Sequence, residues 1–168
     1  MGLRGILLYS LRAAVFAAVI GALYALVCHL RKRKLSVGRL MGVMYIAALV
    51  QITVLRGGVD WAELGTVSRD LPQLVPLKTT LEEARDGLWP LVYHTVGNMG
   101  WFVPLGILLR RRRARTALLT GAALSAGIEL MQFLLMTGAA DVDDVILNAF
   151  GSWIGCILAR CIKKNGFD

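Results

Sequence analysis

One carboxylic acid is a candidate for chemistry because it lies inside a long apolar stretch. Glu129 follows Thr116, where an uncharged run begins, by 13 residues, which is about 20 Å along a helix. An ionised carboxylate near the centre of a bilayer costs at least about 2.5–3.5 kcal/mol, so an acid there is a functional candidate. Ser125 and Gln132, at i−4 and i+3, share its helix face. Glu129 could therefore contribute to a hydrogen-bonding site or act as a general acid or base.

A second polar face recurs at helical spacing further along the chain. Its members are Asp141, Asp144, Asn148, Gly151 and Gly155, separated by three, four, three and four residues. Steps of three and four place residues on one side of a helix. We expect Asp143 to point elsewhere, at the outer surface. The two glycines form a G-x-x-x-G pattern that lets a helix approach its neighbour closely.

His94 and Asn98, again four residues apart, provide a third polar face. None of the three faces can point into lipid without losing hydrogen bonds, so we expect them to converge. The result would be an acidic cavity near the outer leaflet, with Arg56 and Arg69 as countercharges. Two other interpretations stay open. The polar groups could only hold helices in register, and the three aspartates could form a solvated turn or a weak cation site.

Five uncharged stretches are the elements that must position these residues. A membrane-spanning helix needs about 20 mostly apolar residues. The stretches are Ala13–Leu30, Leu40–Leu55, Gly87–Leu109, Thr116 to about Ala140, and one from near Asp144 to near Arg160. The sequence therefore predicts an all-α membrane protein, a bundle of about five transmembrane helices, with residues 1–168 as a single domain. A cleaved signal peptide is disfavoured for the first stretch because it ends in four basic residues.

The charge distribution predicts how the chain crosses the membrane. The 168 residues are 57% hydrophobic and 18% charged, with a net charge of +8; this composition excludes a disordered chain. Thirteen of the 19 basic residues lie between stretches one and two, between three and four, or after stretch five. Basic loops face the cytoplasm, so we expect the N-terminus outside and the C-terminus inside. The positive charge thus reflects orientation, and no nucleic-acid partner is predicted.

An outer loop, residues 56–91, is predicted between stretches two and three. Its segment Leu71–Leu77 alternates prolines with large aliphatic residues, so it cannot be one continuous helix. We expect this Pro-containing segment to lie in the outer interface or to fold back over the bundle, with a simple loop as the alternative. The three cysteines lie outside this loop, and no Cys/His cluster has ligand spacing. No disulfide, metal site or cofactor is therefore predicted.

Several of these residues resemble the VanZ-like family of membrane proteins. Asn98-Met-Gly-Trp-Phe-Val-Pro104-Leu-Gly106 is similar to the family's N…F-x-P-x-G signature. Glu129-Leu-Met-Gln132, followed by Asp141-Val-Asp-Asp144 and Asn148-Ala-Phe-Gly151, is similar to its second signature. Arg56 and Leu74–Lys78 resemble its outer-loop arginine and proline segment, although Gln73 stands where Asn is usual and Leu77 where Phe is usual. The matches spread over roughly residues 40–158. The residues of this sequence that correspond to polar residues of the family's signatures are Arg56, Asn98, Glu129, Gln132, Asp141, Asp144 and Asn148.

The resemblance implies a multi-span protein of the bacterial cytoplasmic membrane, whose founding relative is associated with low-level resistance to the glycopeptide teicoplanin. The first hypothesis is a binding protein without catalysis. Its ligand would be a membrane lipid, a lipid-linked cell-wall component or a lipoglycopeptide. The alternatives are an intramembrane hydrolase or transferase for lipid-linked substrates, with Glu129 as acid or base, and a small transporter using Glu129 and His94. The hydrolase lacks support because the Glu129 helix contains no histidine and the sequence contains no G-x-S-x-G motif. The transporter lacks support because the sequence shows no internal repeat.

Overall fold

The computed structural model describes residues 3–55 and 71–164, and in these ranges the secondary structure is helical apart from one isolated β-bridge. The chain divides into two compact units, residues 1–62 and 63–168. Arg56 and Arg69 lie outside the described residues. The assignment of residues 1–168 to one transmembrane domain stays a prediction.

The first unit contains two apolar helices, α1 (Leu3–Leu30) and α2 (Val37–Thr53), which pack on each other. Gly21 of α1 lies against Met44 of α2, where an added Cβ would come within 2.8 Å of the Met44 side chain. The small residue therefore allows the two helices to approach closely. The basic block predicted between stretches one and two lies at this connection.

The second unit contains four helices: α3 (Lys78–Asp86), α4 (Leu88–Leu108), α5 (Ala114–Leu135) and α6 (Val142–Lys164). The predicted outer loop, residues 56–91, contains α3 and the start of α4, and its position outside the membrane stays a prediction. Gly87 separates these two helices with φ of 136°, a conformation that side chains with a Cβ rarely adopt.

α6 packs between α4 and α5 as the centre of this unit. Its glycines meet the backbone of α4: a Cβ at Gly151 would overlap Met99, and one at Gly155 would overlap Val103. The predicted close approach through the G-x-x-x-G pattern is thus confirmed. On the side of α5, Ser152 donates a hydrogen bond to the Ala117 carbonyl over 2.9 Å.

The order of these contacts defines the helix directions. Successive residues of α4 meet successive residues of α6, so the two helices are parallel, whereas α5 runs antiparallel to α6. One end of the unit, here the acidic end, holds the α5–α6 turn and the start of α6. The opposite basic end holds the α4–α5 turn and the last turns of α6.

Three helical segments of the described chain are long and apolar enough to cross a membrane: Ser10–Leu30, Ala114–Leu135 and Val142–Lys163. Val37–Thr53 is a shorter apolar helix. α4 has 21 residues without a formal charge, but it is not among the three. The prediction of a membrane protein is confirmed at this level, while the count of five spans and the orientation of the termini stay predictions.

Candidate functional site

Two acids at the acidic end bind backbone amides at the start of α6. Glu129 is 7% exposed, and its Oε2 accepts a hydrogen bond from the amide of Asp141 over 2.9 Å. Asp141 immediately precedes α6, and its Oδ1 accepts from the amide of Asp143 over 2.8 Å. These carboxylates bind amides at the start of α6, where the helix has no internal acceptor and its dipole favours negative charge.

Asp143 has a structural contact that its position in the sequence did not predict. Its side chain is fully buried, which corrects the expectation that it would lie at the outer surface. Its Oδ1 accepts a hydrogen bond from the Leu77 amide. Its Oδ2 accepts from the amide of Thr80 over 2.9 Å and from the Thr80 hydroxyl over 3.0 Å. Leu77 is the residue before α3, and its side chain cannot accept a hydrogen bond from the first amides of the helix. The Asp143 carboxylate of α6 caps the N-terminus of α3 instead.

The segment before α3 pairs with the same turn. Gln73 donates its amide to the Ala140 carbonyl over 2.8 Å, and its carbonyl accepts from the Val142 amide over 2.9 Å. This pairing forms the parallel bridge between Gln73 and Asp141. The non-helical Leu71–Leu77 segment is thus tied to the start of α6 at its Gln73 position.

The Asp144 carboxylate differs from the other three because, among the described residues, it contacts side chains. Its Oδ1 accepts a hydrogen bond from Asn98 Nδ2 over 2.6 Å and lies 3.9 Å from His94 Nε2. Asn98 Nδ2 also lies 3.4 Å from His94 Nδ1. The Asp144 side chain is 28% exposed and that of His94 14%. These three residues, the Asp144 cluster, join α4 to α6, as the convergence of two predicted polar faces requires.

Ser125 and Asn148 form a second contact, between α5 and α6. Asn148 Nδ2 donates to Ser125 Oγ over 2.8 Å, and Ser125 Oγ lies 3.5 Å from the Asp144 carbonyl. Both residues are buried. Asn148 Oδ1 is buried and has no hydrogen-bond partner among the described residues.

The predicted site residues therefore occupy one end of the second unit but divide among different neighbours. Asn98 and Asp144 meet between α4 and α6, Glu129 and Asp141 meet at the α5–α6 turn, and Asn148 faces α5. Gln132 lies one turn after Glu129, and its side chain lies beside Gly138 in the turn. Arg56 lies outside the described residues, so its predicted role as a countercharge stays a prediction.

Comparison of the sequence with models of known protein families identifies a family whose match covers these residues. The sequence model of the VanZ/LLP1 family matches residues 42–163, which is most of the chain and includes every residue of the site that the structure describes. The chain belongs to the VanZ/LLP1 family. No curated protein and no solved structure matches it.

Within this VanZ/LLP1 protein, the residues that sequence reasoning missed are the partners of Asp143. Lys78–Asp86 is helical but lacks a capping side chain at its N-terminus. This missing cap is the feature of the sequence that could have indicated a capping partner elsewhere in the chain. In the part of the chain that the structure describes, no group of three or more His, Cys, Asp or Glu side chains could hold a metal ion. The chemistry offered by the Asp144 cluster is hydrogen bonding and charge.

Proposed function

We propose that this VanZ/LLP1 protein binds the polar part of an envelope lipid, a lipid-linked cell-wall component or a lipoglycopeptide at its acidic end. The acidic end faces outside the bacterial cytoplasmic membrane, and the protein carries out no chemistry on its ligand. Binding of an acylated glycopeptide such as teicoplanin there would lower the drug's access to its target.

The Asp144 cluster is the observation that carries this proposal. Glu129, Asp141 and Asp143 each bind backbone amides, whereas the Asp144 carboxylate contacts only Asn98 and His94 among the residues that the structure describes. His94 Nε2 is buried and makes no hydrogen bond in the described structure. An unpaired buried donor or acceptor costs about 1–3 kcal/mol, so a polar ligand that satisfied it would be favoured. A partly exposed carboxylate beside such a group is suited to hydroxyl or amine groups of a ligand.

Neighbouring aromatic residues support a position of this cluster near the membrane–water boundary. Trp89 and Tyr93 are four residues apart on α4, with Tyr93 adjacent to His94, and are 79% and 77% exposed. Exposed tryptophan and tyrosine are enriched at membrane interfaces, where an apolar ring meets a polar headgroup layer. A ligand with an acyl chain could therefore place its chain in lipid and its polar part at the cluster.

The test compares teicoplanin susceptibility in cells that lack the gene and in cells that express the wild-type protein or Asp144→Asn. The asparagine can still accept the hydrogen bond from Asn98, so the substitution removes charge with little change in packing. We expect the wild-type protein to raise the inhibitory concentration of teicoplanin and Asp144→Asn to abolish the increase.

The matched control is Glu82→Gln, which removes one negative charge from an exposed position on α3 and should leave susceptibility at the wild-type level. Membrane levels of every variant are measured by immunoblotting. Equal susceptibility with and without the wild-type protein, at verified membrane expression, would refute the resistance form of the proposal. Equal effects of Asp144→Asn and Glu82→Gln would refute the role of the cluster.

The hydrolase and the transporter are less well supported alternatives. Ser125 is hydrogen-bonded to the Asn148 amide and lies near a backbone carbonyl, and neither group is a general base. Turnover of lipid-linked substrates by the purified protein, lost in Glu129→Gln, would favour the hydrolase over binding alone.

A further inference from the structure

A cavity at the basic end is separate from the Asp144 cluster. It has a volume of about 260 Å³ and is lined by Arg110, Arg111, Ala159, Arg160 and Lys163. Since a water molecule occupies about 30 Å³, this space is larger than a single small ion requires. Four cationic side chains, two from the α4–α5 turn and two from the end of α6, converge on it.

Two of the cations have structural roles that account for their positions. Arg160 donates from Nε to the Arg110 carbonyl over 2.9 Å, and Arg110 lies with its guanidinium 3.4 Å from the Ile107 carbonyl. Cations are favoured near such carbonyls at the C-terminal end of a helix. These bonds fix the wall of the cavity.

The side chains of Arg111 and Lys163 have neither a carboxylate nor a hydrogen-bond partner within the described ranges 3–55 and 71–164. Among the described residues of this unit, the carboxylates of Glu129, Asp141, Asp143 and Asp144 have their contacts at the acidic end. Like charges that share a cavity repel each other, and an anion between them would relieve the repulsion. The site therefore has the charge and the size for a phosphate-bearing group.

The cavity also lies where a lipid phosphate would be. α6 is one of the helices that can cross a membrane, and Arg160 and Lys163 are in its last turns. Leu158 and Ile162, in the same turns of α6, are exposed and would face acyl chains. Basic pockets between membrane helices are suited to anionic lipid headgroups.

We propose that this cavity binds the phosphate of an anionic phospholipid headgroup, with Arg111 and Lys163 as the residues that confer affinity. The lipid is held at the end of the protein opposite the Asp144 cluster. This assignment is independent of the ligand proposed for that cluster.

The test is native mass spectrometry of the full-length protein in a non-ionic detergent, titrated with phosphatidylglycerol, phosphatidylcholine or inorganic phosphate. We expect the wild-type protein to bind phosphatidylglycerol in preference to the other two. Because a basic residue near a lipid surface contributes roughly fivefold in affinity, Arg111→Gln/Lys163→Gln should bind phosphatidylglycerol at least about tenfold more weakly.

Two further variants test whether lipid binding depends on the cavity or on the overall positive charge of the protein. Arg113→Gln/Arg115→Gln removes the same charge at exposed positions that do not line the cavity, and should bind as the wild type does. Arg111→Lys/Lys163→Arg keeps both charges and should retain affinity. Equal losses in the two glutamine variants, loss in the charge-preserving variant, or tighter binding of inorganic phosphate than of the lipid would each overturn the proposal.

Discussion

At the scale of single residues, four neighbouring acids have different tasks. Glu129, Asp141 and Asp143 accept hydrogen bonds from backbone amides, whereas Asp144 accepts one from a side chain of another helix. That Asp144 and Asn148 lie on one helix close to Asp141 could be predicted from helical spacing, although Asp141 itself precedes α6. Which neighbour each would meet could not be predicted, because α6 lies between α4 and α5 and periodicity does not identify the helix on each side.

Asp143→Ala should loosen α3 because it removes the acceptor for the Leu77 amide, the Thr80 amide and the Thr80 hydroxyl. Loss of a helix cap, which leaves partly buried donors unpaired, should cost about 2 kcal/mol of unfolding free energy. Hydrogen exchange of the full-length protein in detergent should show faster exchange at the amides of residues 77 and 80, and thermal unfolding should occur at a lower temperature.

Asp86→Ala is the matched control, since Asp86 is exposed at the other end of α3 and should leave the exchange at residues 77 and 80 unchanged. Asp143→Asn retains one carbonyl acceptor, so its effect should be intermediate. Wild-type exchange at these amides in Asp143→Ala would contradict the capping role.

At the scale of elements, the helix bounds were predictable where charges delimit apolar runs. The predicted stretch Gly87–Leu109 corresponds to α4, Leu88–Leu108, because Asp86 and Arg110 flank it. α3 was not predicted, because its N-terminal cap comes from Asp143, more than 60 residues away in sequence. A long-range contact of this kind leaves no local pattern.

The close packing of α4 on α6 should depend on Gly155. A Cβ there would overlap the Val103 backbone, which cannot move without separating the two helices. We expect Gly155→Ala to cost about 1–3 kcal/mol. Gly127→Ala on α5 is the control: an added Cβ meets nothing within 4 Å, and alanine is favoured over glycine in a helix by up to about 1 kcal/mol.

Thermal unfolding of both variants in the same detergent measures the difference. Gly155→Ala should unfold at a lower temperature than the wild type, and Gly127→Ala at the same or a higher one. A wild-type unfolding temperature for Gly155→Ala would show that α4 and α6 can separate without loss of stability.

At the scale of the whole molecule, the basic residues and the acids of the site lie in different parts of the chain. The short connections Arg31–Arg39 and Arg110–Arg115 are rich in arginine and lysine, and the parallel directions of α4 and α6 bring the second of these blocks to the end of α6. The acids of the site lie at the opposite end of the same unit. The positive-inside rule then predicts that the basic end is cytoplasmic and the acidic end is outside.

A natural cysteine can test this orientation without altering the charges that produce it. Cys161 is exposed near the end of α6, whereas Cys28 and Cys156 are buried. A membrane-impermeant maleimide should leave Cys161 unmodified in intact cells and label it in inverted vesicles. In a Cys161→Ser background, Glu82→Cys on α3 should be labelled in intact cells, and Leu35→Cys between α1 and α2 only in inverted vesicles. Labelling of Cys161 from outside would show that the orientation is reversed. In a protein with five spans, the connection after the first span and the segment after the fifth lie on the same side of the membrane. Labelling of the Leu35 position from outside, with Cys161 inside, would therefore contradict five spans.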